Sequence, residues 1–82
     1  MSNYYVIYGT TQCAYCEQAK SLLIAKNIDF DYIDIKLLDS DEMGKLHEIA
    51  GHVFRTVPQI FISEADGSKS YVGGYTELKT TL

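Results

Sequence analysis

A strand–helix–strand pattern at the start of the chain constrains the fold more than any other feature. Residues 4–8 (Tyr-Tyr-Val-Ile-Tyr) are aromatic and β-branched, which predicts a buried strand. Residues 13–27 then follow a helical pattern, and residues 29–35 predict a second strand. Because such crossovers are almost always right-handed and join parallel strands, we expect these two strands to lie parallel in one sheet.

The first helix is expected to have one apolar face and a defined end. That face is predicted to consist of Tyr15, Ala19, Leu22 and Leu23. Asn27 is expected to stop the helix, because asparagine tolerates the left-handed backbone conformation that often follows a helix.

The second half of the chain predicts two more helices and a hairpin. The predicted elements are a helix over 39–50, a strand over 59–62, a strand over 69–72 and a helix over 76–82. A capping signal between Asp39 and Glu42 precedes the first of these, and Gly51 ends it. The fold class is therefore α/β in the order β-α-β-α-β-β-α, a mixed four-stranded sheet with helices on both faces, and residues 1–82 form one domain.

Charge and apolar patterning exclude several classes of function. The 7 Lys and Arg residues are scattered singly among 11 Asp and Glu residues, for a net charge of −4. A nucleic-acid-binding domain would show a basic patch, so we expect no nucleic-acid partner. No apolar run approaches the ~20 residues of a membrane span, and the first residues do not form a secretory signal. We therefore expect a cytoplasmic monomer without membrane contact.

The two cysteines of the chain, Cys13 and Cys16, stand where the first loop becomes the first helix. A disulfide between them would close so small a loop that it would barely constrain the unfolded chain, so a structural role explains them poorly. Residues i and i+3 share a helix face, so the two sulfurs can approach bonding distance. The free N–H groups and the dipole at a helix N-terminus favour a thiolate at Cys13. We therefore expect Cys13 to attack disulfides and Cys16 to resolve the mixed disulfide.

The residues alone also allow interpretations of these motifs that involve no redox function. The cysteines could be two unrelated buried thiols, or they could bind a structural zinc ion with His47 and His52. The gap from Cys16 to His47 is about twice the usual zinc-finger separation, so we favour histidines at the surface near a helix end. Pro58 can be an edge-strand device, and the glycines at 73–74 a simple turn.

Taken together, three segments of the sequence resemble the glutaredoxin family. They are Tyr8-Gly9 with Cys13-Ala14-Tyr15-Cys16 and Ala19-Lys20, then Arg55-Thr56-Val57-Pro58-Gln59-Ile60-Phe61-Ile62, then Gly73-Gly74-Tyr75-Thr76. The resemblance covers nearly the whole chain, and small viral glutaredoxins are similarly compact. It implies a thioredoxin-like fold and a glutathione-dependent thiol–disulfide oxidoreductase that reduces protein disulfides and glutathionylated proteins. Thioredoxin itself fits worse, because no Trp stands beside the first cysteine.

The resemblance also implies which residues bind glutathione. They are Tyr15, Arg55, Thr56, Val57, Pro58, Tyr75, Thr76 and Glu77. A cis Pro58 would lie against the cysteine pair, and Val57 would pair its backbone with the cysteinyl part of glutathione. The N–H groups of Thr76 and Glu77 would hold the γ-glutamyl carboxylate, and Arg55 would attract the glycyl carboxylate.

Three positions depart from the family pattern. Ala14 stands where proline often follows the first cysteine, Thr10 where a basic residue is frequent, and Glu77 where aspartate is common. Relatives without that proline include proteins that bind a [2Fe–2S] cluster across a dimer with glutathione as co-ligand, and here Cys13 would be the cluster ligand. Outside that alternative we expect no metal. A further alternative is a dedicated reductant of ribonucleotide reductase that receives electrons from a thioredoxin reductase.

Overall fold

The computed structural model describes residues 4–82. Its strands are β1 (Tyr4–Gly9), β2 (Phe30–Asp34), β3 (Gln59–Ser63) and β4 (Lys69–Gly73). Its α-helices are α1 (Ala14–Ala25), α2 (Ser40–Ala50) and α3 (Tyr75–Thr81). A short 3-10 helix, Ile35–Leu37, follows β2 and is not predicted by the sequence pattern. The α-helices and strands follow the predicted order β-α-β-α-β-β-α.

One sheet joins the four strands in the spatial order β2-β1-β3-β4. β1 runs parallel to β2 and antiparallel to β3, and β3 runs antiparallel to β4. In this register Tyr5 pairs with Phe30 on one side and with Ile62 on the other. The predicted parallel pair and hairpin are both confirmed, and the sheet is mixed.

Side chains of β1 alternate between the two faces of the sheet, and so they enter two separate core layers. The buried members of the first layer are Tyr5, Ile7, Ala19, Leu23, Ile60 and Leu78. The buried members of the second layer are Val6, Tyr8, Leu46 and Phe61. Helices α1 and α3 therefore pack on one face and α2 packs on the other, which confirms helices on both faces.

The local signals at the helix ends are also confirmed. Asn27, two residues beyond the end of α1, adopts a φ of 60°, and Gly51 follows α2 with a φ of 84°. At the start of α2, Asp39 accepts from the Glu42 N–H at 2.8 Å, and Glu42 accepts from the Asp39 N–H at 3.1 Å. None of the helices within residues 4–82 has both the length and the apolar character needed to cross a membrane.

The buried face of α1 differs from the predicted one. Cys16, Ala19 and Leu23 are fully buried, and Leu22 is partly buried against the same core layer. Tyr15 is 60% exposed, so its placement on the core face is wrong. The core line of the helix starts one residue later, at Cys16. Tyr15 lies in the first helical turn, where its side chain lines a surface groove.

Candidate active site

The turn from β1 into α1 presents its two cysteines differently. Cys13 is the N-cap of α1, and its Sγ accepts a hydrogen bond from the Cys16 N–H at 3.1 Å. This sulfur therefore satisfies one of the free N–H groups of the first helical turn. Cys13 is partly exposed, whereas Cys16 is fully buried. A disulfide arriving from solvent can therefore reach the sulfur of Cys13 and not that of Cys16.

The two sulfurs are joined in a Cys13–Cys16 disulfide, with the Cα atoms 5.2 Å apart. Gly9 makes room for this pair, because a Cβ atom at Gly9 would lie 2.6 Å from the Cys16 Sγ and 2.5 Å from the Tyr32 hydroxyl oxygen. That hydroxyl donates to the Thr10 carbonyl oxygen at 2.6 Å. Tyr32 thus holds the loop that leads from Gly9 to Cys13.

Lys20 contacts Glu17 on its own helix, α1, and Tyr32 on β2. Its Nζ forms an ion pair with Glu17 at 3.0 Å and lies 4.4 Å from the centroid of the Tyr32 ring. Burial raises the pKa of Tyr32, and the positive charge of Lys20 opposes that shift. The phenol of Tyr32 therefore stays protonated at neutral pH and continues to donate its hydrogen bond.

The loop before β3 lies against the cysteine pair. The Val57–Pro58 peptide bond is cis, as the resemblance implies. The Val57 carbonyl oxygen lies 3.8 Å from the Cys13 Sγ. A disulfide sulfur carries no hydrogen, so this is a contact in the oxidised form. A Cys13 thiol could donate to the same oxygen.

A groove of about 320 Å³ is open to solvent beside this contact. It is lined by Tyr15, Thr56, Val57, Pro58, Gly74, Tyr75, Thr76 and Glu77. Three segments that are distant in the sequence meet here, namely the first turn of α1, the loop before β3 and the first turn of α3. A cleft of this size can take a small ligand. The structure thus brings together seven of the eight residues that the resemblance assigns to glutathione.

The α3 wall of the groove depends on Gly73. Its φ is 134°, and a Cβ atom there would lie 2.6 Å from both the Cβ and the Cγ of Glu77. Only glycine can occupy this position without strain. The Glu77 Oε1 accepts from the Gly74 N–H at 2.8 Å and closes the first turn of α3. The Tyr15 and Tyr75 rings lie 6.0 Å apart at the groove, tilted by 31°.

The observed groove and the predicted site differ at two residues. Arg55 is exposed and lines a neighbouring cavity of about 170 Å³ with Ile35 and Phe54, and it does not line the groove. Gly74 lines the groove but is missing from the predicted set. The glycine pair at 73–74 is a signal for that wall, although the sequence pattern alone indicates a simple turn.

The two histidines pack around one aromatic ring. His47 and His52 have ring centroids 4.7 Å and 6.0 Å from that of Phe54. Within the part of the chain that the structure describes, no cluster of three or more His, Cys, Asp or Glu residues could hold a metal ion. His52 is exposed, which fits the prediction of a surface residue near a helix end, whereas His47 is partly buried and its Nε2 is buried without a hydrogen-bond partner among the described residues.

Comparison with known proteins points to one family. A family model described as Glutaredoxin matches residues 5–65. The chain is 36% identical over 77 residues to glutaredoxin 1 of Escherichia coli (strain K12), across 88% of this chain and 84% of that protein. It is 32% identical over 78 residues to the mitochondrial glutaredoxin-2 of Bos taurus. That match covers 93% of this chain but only 45% of the bovine protein, so this chain spans less than half the length of that relative.

Solved structures of the same name share the fold. Glutaredoxin 1 from Francisella tularensis, complexed with cacodylate, aligns with a TM-score of 0.64 and 33% identity over 98% of this chain and 92% of that chain. A buckwheat glutaredoxin–glutathione complex aligns with a TM-score of 0.70 and 27% identity over 96% of this chain and 67% of that one. These neighbours confirm the α/β, thioredoxin-like fold that the resemblance implies.

Proposed function

Because the chain belongs to the glutaredoxin family, we propose that it is a glutathione-dependent thiol–disulfide oxidoreductase whose reacting groups are Cys13 and Cys16. The observation that carries this proposal is the position of the Cys13 sulfur. It caps α1 and lies 3.8 Å from the carbonyl oxygen of Val57, a residue that also lines the groove. Cys13 itself is partly exposed. A small thiol bound in that groove would therefore have its sulfur close to Cys13.

For a glutathionylated protein, we propose two exchange steps at Cys13. The Cys13 thiolate attacks the glutathione sulfur, the mixed disulfide breaks, and the protein thiolate leaves and takes a proton from solvent. Cys13 is then bonded to glutathione. The thiolate of a second glutathione attacks that glutathione sulfur and releases glutathione disulfide and the Cys13 thiolate. The two steps consume one free glutathione, because the other half of the glutathione disulfide comes from the substrate.

For a protein disulfide, the buried cysteine completes the reaction. Cys13 attacks one sulfur of the substrate, and the thiolate of Cys16 then attacks the Cys13 sulfur and releases the substrate dithiol. The product is the Cys13–Cys16 disulfide, which two glutathione molecules reduce. The burial of Cys16 supports this order, because Cys16 is closed to an incoming substrate but lies within bonding reach of the Cys13 sulfur.

We propose that the groove holds glutathione through backbone groups. Val57 would offer its N–H and carbonyl to the cysteinyl part, and the first turn of α3, at Thr76 and Glu77, would receive the γ-glutamyl carboxylate. The Oε1 of Glu77 already accepts from the Gly74 N–H, so its Oε2 is the oxygen left for the glutathione amine. Arg55 lines the neighbouring cavity, and its positive charge would attract the glycyl carboxylate. The buckwheat neighbour bound to glutathione supports this ligand.

Two single variants test the roles of the cysteines. Turnover of a glutathionylated peptide is followed with glutathione, glutathione reductase and NADPH. Cys13→Ser is expected to give no turnover above the uncatalysed reaction. Cys16→Ser serves as the matched control, because it should keep this activity and lose only the reduction of protein disulfides. An active Cys13→Ser together with an inactive Cys16→Ser would refute the assignment.

The two alternatives stay predictions with their own measurements. The cluster-binding alternative rests on Ala14, and the visible absorption spectrum of anaerobically purified protein tests it. A colourless monomer with good turnover would exclude it. The dedicated reductant of ribonucleotide reductase is tested by comparing glutathione with a thioredoxin reductase as electron donor. Faster turnover with the reductase would favour that alternative over ours.

A further inference from the structure

The buried side-chain amide of Gln59 contacts Thr56, a residue that lines the groove. Gln59, the first residue of β3, is only 4% exposed although its side chain is polar. Its Nε2 donates to the Thr56 carbonyl oxygen at 2.8 Å and lies 3.3 Å from the Thr56 Oγ1. The side chain therefore bridges back over Val57 and Pro58, two residues that line the groove.

The orientation of this amide is fixed by its partners. The Thr56 carbonyl can only accept, so it must face the NH₂ end of the Gln59 side chain. The Oε1 end then faces the Tyr71 hydroxyl, at 2.5 Å, and this hydroxyl must donate because Oε1 can only accept. Tyr71 belongs to β4, so the hairpin register brings this donor to Gln59. Thr56 thus satisfies the NH₂ end of the buried amide, and Tyr71 satisfies its oxygen end.

The network continues to the surface through one histidine. The His52 Nε2 lies 3.3 Å from the Tyr71 hydroxyl oxygen, and since the phenol proton is used on Gln59, this nitrogen must be the donor. The Tyr71 ring also packs on Phe61, with centroids 5.2 Å apart. Burial, reinforced by the charge of Glu77, raises the pKa of Tyr71, so the phenol keeps its proton at neutral pH.

We propose that Gln59 and Tyr71 are positioning residues for the glutathione groove. They hold the Thr56 carbonyl, and this fixes the Thr56–Val57–Pro58 edge that would pair with the cysteinyl part of glutathione. Neither side chain lines the groove, so both act through the backbone of the loop. The inference rests on the proposed function for its ligand, but the positions of Thr56 and Val57 can be measured without one.

Steady-state kinetics on a glutathionylated peptide test the pair. Tyr71→Phe keeps the ring packing and leaves the buried Gln59 Oε1 unpaired, so we expect KM to rise about 3- to 10-fold with kcat nearly unchanged. Gln59→Leu should raise KM at least as much. Because both residues act through one carbonyl, the double variant should have the KM of Gln59→Leu alone. Tyr8→Phe removes a hydroxyl from the same core layer, outside this network, and should leave KM unchanged.

Gln59→Glu gives a pH signature that general destabilisation would not. An ionised carboxylate cannot donate to the Thr56 carbonyl, whereas the protonated acid can donate to it and still accept from Tyr71. The KM of this variant relative to wild type should therefore be largest near pH 8 and fall toward one near pH 5. Taking the ratio at each pH removes the pH dependence that the two proteins share.

Amide chemical shifts of Thr56 and Val57 in the free protein test the positioning role separately from the proposed ligand, glutathione. If these shifts move in the variants while wild type shows no saturation with the glutathionylated peptide, the positioning holds and the proposed ligand is wrong. If the shifts and KM stay those of wild type in both Tyr71→Phe and Gln59→Leu, the positioning role is wrong. Multiplicative effects in the double variant would also overturn it, because the two residues would then act separately.

Discussion

Gly9→Ala tests how closely the fold is built around the cysteine pair. Gly9 ends β1, and a methyl group there would lie 2.5 Å from the Tyr32 hydroxyl oxygen and 2.6 Å from the Cys16 Sγ. Both distances are well inside van der Waals contact. The two neighbours differ in how they can respond, since Tyr32 is partly buried on β2, whereas Cys16 is fully buried and bonded to Cys13.

The cost of this methyl group follows from those two contacts. Tyr32 can move aside, but it then loses its hydrogen bond to the Thr10 carbonyl, worth about 0.5–1.5 kcal/mol. The sulfur of Cys16 has no free space, so the overpacking there costs about 1–3 kcal/mol. Even the lower ends of these ranges predict that Tm falls by at least about 6 °C for a domain of this size.

Thermal and urea unfolding of the oxidised protein, followed by circular dichroism, measure the effect. Gly44→Ala is the matched control, because nothing lies within 4 Å of its Cβ position and it stands inside α2. That control should stabilise the fold by about 0.5–1 kcal/mol through helix propensity. In a Tyr32→Phe background one of the two clashes is gone, so Gly9→Ala should cost less there. A Gly9→Ala protein as stable as wild type in both measurements would refute the close packing.

Two further substitutions probe the groove and a region away from it. Gly73→Ala forces a strained φ and sets a methyl group 2.6 Å from the Glu77 Cβ, so KM for a glutathionylated peptide should rise about tenfold. Gly74→Ala, with no contact under 3.4 Å, is its control in the same assay and should have a smaller effect. Asp39→Ala removes the capping box of α2 and should lower the free energy of unfolding by about 0.5–2 kcal/mol. Its kcat/KM should equal that of wild type, and a loss of activity at full folding would contradict this separation.

The fold could be predicted from the sequence because its signals are local. Successive side chains of residues 4–8 point to opposite faces of the sheet, so this one strand contributes to both core layers. Asp39, Glu42 and Gly51 define the ends of α2 through local contacts alone. Tyr15 could not be placed in this way. Periodicity alone puts it on the apolar side of α1, but the position of its helical turn beside the groove leaves it exposed.

The site was predictable in a different way. The spacing of Cys13 and Cys16 and their place before a helix are enough to infer the pair, because helix geometry fixes that relation. The groove residues came from the family resemblance. The hydrogen bonds of Gln59 could not be predicted from the sequence. The partner of its amide oxygen is set by the hairpin register, which brings Tyr71 alongside. A local pattern carries no information about that register.

Burial adds a second reason for the order in which we propose that the two cysteines react. The sequence argues from the helix N-terminus, which favours a thiolate at Cys13. The second reason is access, because Cys16 is fully buried, whereas Cys13 is partly exposed beside the groove. These two causes are independent, yet both favour Cys13 as the first to react. A substitution that weakened the first turn of α1 while leaving Cys13 in place would therefore slow the attack without exchanging the roles of the two sulfurs.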